Sequence, residues 1–147
     1  MATKQSTYFK GNARTPIPVP NKAGVVCEVI ITHTFTEAVA DTDVLELAPL
    51  AAGNRILAVD VATENLGAIT LDVGFMSGTP GDVESARSCG AELFNDQAAG
   101  TPAAKPLIGI VGLAVAGEHR SIGVVPSAAI TPAANKKLHL RLRYASA

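Results

Sequence analysis

The sequence predicts an all-β fold, a single-domain antiparallel β-sandwich that is jelly-roll-like, with a small β-barrel as the alternative. Three observations carry this expectation. Aromatic residues make up 4% of the chain with no Trp, against 48% hydrophobic residues, so the apolar content is mainly Ala, Val, Leu and Ile. Nine prolines and thirteen glycines cut the chain into short pieces, and short β-branched runs between frequent turn residues read as strands rather than helices. The strands recur about every ten to fifteen residues, the rhythm of a sandwich or barrel. At 147 residues the chain fits one domain, large enough to bury roughly 70% of its unfolded surface without staples. The expected division is an extended N-terminal arm over 1–24 and a β-sandwich over 25–147.

Within the arm, TPIPVPNKAG places Pro16, Pro18 and Pro20 at alternate positions. Such a segment cannot donate a continuous ladder of hydrogen bonds and favours polyproline geometry. A flexible tail and an arm ordered by a neighbouring subunit are both open readings. VVCEVIITHTFT, from Val25, is the first clear strand. Val25, Cys27, Val29, Ile31 and Phe35 share one face, and Glu28, Thr32 and Thr34 the other. His33 falls on the apolar face near the strand's end, where a hydrogen-bonded edge residue is expected.

A short strand over Val44 to Leu47 is expected to end at Pro49, and AAGNR supplies a turn. RILAVDVA is apolar on both faces and reads as central. ENLG follows, then AITLDVGFM with Ile69, Leu71, Val73 and Phe75 on one side; strand, Gly-containing turn and strand together suggest a hairpin. The stretch from Ser77 to Pro106 is irregular, and Val83 to Phe94 reads equally as a short helix or an edge strand. PLIGIVGLAVAG reads as a buried strand with a bulge, and EHRSIGVVP as another short strand. After the turn TPAANKK, KLHLRLRYASA has the cleanest alternation in the chain. Leu138, Leu140, Leu142 and Tyr144 point one way; Lys137, His139, Arg141 and Arg143 point the other. That basic face is either solvated, its charge discouraging edge pairing, or turned toward an acidic partner.

Chemistry is scarce. The net charge of −1 and a pI of about 6.3 do not suit a surface that binds nucleic acid by neutralising phosphates. No apolar h-region opens the chain, and no apolar run approaches the ~18 residues of a membrane span. Cys27 and Cys89 lack CxxC spacing and make no disulfide framework. SGTPGD has the glycines of a phosphate loop but no following Lys, and Asp82 and Glu84 would repel phosphate, so it reads as a turn. GIVGLAVAG has the wrong spacing for a dinucleotide fingerprint. His33, His119 and His139 stand alone, and no nucleophile elbow is present. The carboxylate pairs Asp41/Asp43 and Asp82/Glu84 lack a calcium-loop pattern and suit turn capping. No enzyme, cofactor or metal is expected.

The block APLAAGNRILAVDVATENLGAITLDVGFMSG, with RSIGVVPSAAITPAANKKLHLRLRYASA, resembles small virion proteins of tailed bacteriophages, the capsid decoration, cement or minor head proteins. The shared pattern runs over Leu50 to Leu66, Ile69 to Gly78 and Arg120 to Tyr144. The chain departs from it at Asn54, where a Gly-Ala-Arg turn is more familiar, and in the insert between Ser77 and Pro106. The resemblance implies a capsid-binding structural protein that stabilises the phage head from outside. Its partner would be the major capsid protein, its oligomer a trimer, and its place the virion exterior after synthesis in the bacterial host cytoplasm. The arm would supply the capsid contact, through Tyr8, Phe9, Lys10, Arg14, Ile17 and Val19. A tail- or fibre-associated sandwich that contacts the host surface is the alternative, though the aromatic platforms usual at glycan sites are scarce here.

Overall fold

The computed structural model describes residues 1–7, 25–106, 113 and 115–146. These hold nine strands: β1 (Thr3–Gln5), β2 (Val26–Thr34), β3 (Val44–Leu50), β4 (Asn54–Glu64), β5 (Thr70–Met76), β6 (Phe94–Ala98), β7 (Ala103–Lys105), β8 (Arg120–Pro126) and β9 (Lys137–Ser146). They form a five-stranded sheet in the order β1-β3-β8-β5-β6 and a four-stranded sheet in the order β2-β9-β4-β7. The two sheets face each other as a jelly-roll-like sandwich and do not close into a barrel. All pairings are antiparallel except β1 with β3.

The core lies where the inward positions of the two sheets meet. β9 supplies Leu138, Leu140, Leu142 and Tyr144, and Ile31, Val59, Val61, Leu71, Val73, Ile122 and Val124 come from neighbouring strands, each at most 3% exposed. The period-2 pattern read from the sequence therefore gives the correct inward face for β2, β5 and β9. His33, on the inward face of β2, is buried; its Nδ1 accepts a hydrogen bond from the Thr7 backbone N–H at 2.7 Å, and its ring meets Phe35 edge-on.

Two sequence expectations change. The ENLG turn does not make a hairpin, because β4 and β5 lie in different sheets. Asn65 (φ 57°) and Gly67 (φ 81°) take left-handed backbone conformations, which turn the chain across the edge of the sandwich instead of back along β4. And β3 continues through Pro49 to Leu50. β1 pairs only with Val44 to Glu46, so from Ala48 onward β3 has a single neighbouring strand among the described residues, β8. A missing N–H is tolerated where one side of a strand carries no ladder. Between Val83 and Phe94 there is no helix. Cys89 makes an isolated bridge to Met76, and strand structure resumes only at β6. Most of PLIGIVGLAVAG lies outside the described residues.

Of the segment expected as an arm, residues 1–7 are docked onto the sandwich. Thr3–Gln5 extends the five-stranded sheet, Ala2 N–H donates to Asp43 Oδ1, and Ser6 donates to the backbone of Glu46 and Leu47. Thr7 then reaches the other sheet, its hydroxyl donating to Thr32 O and accepting from Thr34 N–H at the edge of β2. Tyr8, Phe9, Lys10, Arg14, Ile17 and Val19 lie outside the described residues.

The outward face of the five-stranded sheet carries an ion pair with almost no solvent exposure. Glu46 points away from the core, as alternation requires, yet is 0% exposed, and Arg87 is 1% exposed. Arg87 Nη1 lies 2.8 Å from Glu46 Oε1, which also accepts from Gly81 N–H at 3.0 Å and from the Ser121 hydroxyl. Arg87 Nε donates to Ser77 O at 2.7 Å. The SGTPGD turn thus offers an amide to a carboxylate of its own chain. Removing one partner of such a pair strands the other. Glu46→Ala or Arg87→Met is therefore expected to lower stability by about 3–5 kcal/mol in urea denaturation. The pair replaced together by Leu and Met is expected to cost less than either single change.

Candidate functional site

The outward face of the four-stranded sheet is a regular surface carried by β2, β9, β4 and β7. β9 lies at its centre, between β2 and β4, and not at an edge. Register brings Arg143 opposite Glu28, Arg141 opposite Asp60, and His139 between Thr32 and Ala62. Arg143 Nε donates to Glu28, and Arg141 pairs with Asp60. His139 Nε2 lies 3.0 Å from Glu64 Oε1, with its Nδ1 3.0 Å from the Thr32 hydroxyl. The basic stripe legible in the sequence is thus matched, strand by strand, by carboxylates of its own sheet. Cross-strand pairs of opposite charge stabilise a sheet modestly, and their solvent exposure keeps each contribution small.

Between these long charged side chains the outward residues of β4 and β7 are small. Ala62 and Ala104, with Pro102, Ala103 and the exposed Ile30, leave a mainly apolar hollow of about 300 Å³ rimmed by Asp60, His139 and Arg141. Ile30 is 62% exposed, and Val26 on the same face is 54% exposed. The surface is therefore neutral in pairs and apolar between them.

The remaining candidates are scattered. His33 is bonded at the edge of β2, His119 Nδ1 accepts from Ala52 N–H at 3.1 Å, and His139 belongs to the paired face. Asp43 accepts from Ala2 and Ala40, and Asp82 Oδ1 from Glu84 and Ser85, so these carboxylates cap turns. Cys27 and Cys89 are free thiols. Among the described residues no group of three His, Cys, Asp or Glu side chains is placed to hold a metal. No helix among them is long and apolar enough to cross a membrane.

A two-sheet sandwich with polar side chains committed to turns, clamps and cross-strand pairs defines a structural β module. No protein-family model matches the chain, and no curated protein matches it. Among solved structures, a chain of the capsid of Ralstonia phage GP4 has a TM-score of 0.84 and 34% sequence identity, covering 99% of each chain. A chain of the cyanophage Pam1 capsid asymmetric unit has a TM-score of 0.51 and 19% identity, over 94% of this chain and 96% of that one, a likeness of fold. The chain belongs to the family of the Ralstonia phage GP4 capsid chain, and it is a phage capsid-associated protein with a structural role in the virion.

The hydrogen bond from Arg143 holds the Glu28 carboxyl below its ordinary value of 4.5. Because folding lowers this value, the pair's contribution is present above the ordinary carboxylate range and is lost as pH falls through the lowered one. Arg143→Ala is expected to return Glu28 toward 4.5 in a carboxyl NMR titration. An unchanged titration would mean that the pair does not form in solution.

Proposed function

We propose that this protein is a decoration, or cement, protein that binds the outer surface of a phage capsid, contacts the major capsid protein and stabilises the head without catalysis. The full-length, 34%-identical match to a chain of the Ralstonia phage GP4 capsid carries this reading. A cement role asks for a rigid body and an interaction surface, with no reactive groups. The close-packed sandwich supplies the first. The paired, partly apolar sheet face supplies the second. That face presents little net charge, so it packs against a neighbour without burying unpaired ions.

The arm is assigned the capsid contact, with Tyr8 and Phe9 as apolar anchors and Lys10 and Arg14 toward acidic capsid residues; Ile17 and Val19 add apolar surface. A trimer is the assigned oligomer, since three copies acting together add avidity through effective concentration.

Two measurements test the proposal. The copy number in purified particles is expected to stand in a simple ratio to the major capsid protein. A handful of copies per particle would instead indicate a tail or portal position. Tyr8→Ala with Phe9→Ala is expected to weaken binding to undecorated heads by at least roughly tenfold while leaving the thermal transition of the free protein unchanged. Undiminished binding would remove the arm from the contact.

A further inference from the structure

The insert 77–92 lies over the outward face of the five-stranded sheet, and its attachment differs in kind from the rest of the fold. Arg87 is the one buried residue in it, and none of its residues belongs to the hydrophobic core cluster. What holds it is polar. Arg87 bonds Glu46 and Ser77 O, Gly81 N–H bonds Glu46, and Gly90 N–H bonds Phe75 O at 3.0 Å. Glu92 accepts from Phe75 N–H, and Ser77 N–H donates to Ser88 O at 2.9 Å. Beneath it the sheet is indented. Gly74 and Gly123 face each other across β5 and β8. A side chain at Gly74 would collide with Gly90 and Glu92, and one at Gly123 with Met76 and Cys89.

We propose that residues 77–92 form a strap that opens as a unit while the sandwich beneath stays folded. Regions held by few apolar contacts open with less free energy than the whole molecule. The latch fits such an opening. Breaking a buried pair by removing one partner is costly, but releasing both partners into water restores the hydration of each. Arg87 Nη2 is buried with no hydrogen-bond partner among the described residues, a debt that opening also cancels. The open form exposes Glu46, Ser121, Met76 and the Gly74–Gly123 indentation, a strip of sheet that the closed form covers. The core between the two sheets is untouched.

Cys89 is a built-in reporter. It lies in the strap against Gly123, its thiol donating to Gly90 O, and burial pushes it up to about 12. Its alkylation at pH 8, resolved from Cys27 by peptide mass spectrometry, follows strap opening. In the unaltered protein the Cys89 rate is expected to be nearly independent of urea below the unfolding transition. Arg87→Lys, which keeps the charge but loses the planar fork, is expected to raise it roughly tenfold or more. Leu140→Val, which weakens only the core, is expected to lower the unfolding midpoint and leave the Cys89 rate unchanged. A rate that rises with urea as steeply as global unfolding overturns the strap, as does a Leu140→Val increase that tracks the lost stability. Labelling of Cys89 as fast as that of an unstructured peptide overturns it too. If Leu140→Val does not fold, the urea dependence of the unaltered protein decides.

Discussion

A carboxylate kept out of water must be met by donors, and the outward half of the five-stranded sheet is organised around meeting that of Glu46. Three other pieces of chain converge on it. β3 carries it, Ser121 comes from β8, and Gly81 and Arg87 come from the insert, while Gln5 of β1 lies at the margin of hydrogen-bond reach at 3.5 Å. The arrangement explains why an irregular, largely polar insert stays on the sheet with no fully buried apolar side chain of its own. It also explains the glycines beneath, since a side chain at Gly74 would meet the backbone of Gly90, and one at Gly123 the side chains of Met76 and Cys89.

The opposite sheet solves its outward face differently. Nothing among the described residues covers it, and the alternation of β9 would leave basic side chains in a row. β2 and β4 answer with Glu28, Asp60 and Glu64 at facing positions. The two faces therefore differ in kind. One is partly covered by its own chain, and the other, among the described residues, carries paired charges with an apolar hollow between them.

Much of this was legible in the sequence. The leucines of β9, the inward face of β2, the isolation of the three histidines and the turn-capping aspartates all follow from local patterns. Sheet membership was not. A period-2 pattern says which side of a strand is buried, but it does not say whether the next strand lies beside it or across from it. ENLG is compatible with both, and so β4 and β5 were expected as a hairpin. Nothing in VLELAPL itself reveals that Glu46 is buried, because the cover that buries it lies some 40 residues further along, at Arg87. Pro49 reads as a strand end because nothing local reveals that β1 stops short of it. The basic stripe was correctly seen, but its partners come from β2 and β4, distant in sequence. The resemblance to phage virion proteins supplied the biological setting that no motif contained.

The position of β9 also orders events at the ribosome. It is the central strand of its sheet and follows every other strand of that sheet in sequence. Until residues 137–146 leave the exit tunnel, β2 has no ladder among the described strands and β4 has only the three-residue β7 beside it. Nascent chains therefore carry unpaired apolar strands through most of their synthesis, the condition under which neighbouring chains associate wrongly. Completion of the four-stranded sheet thus waits on the arrival of a single strand, β9.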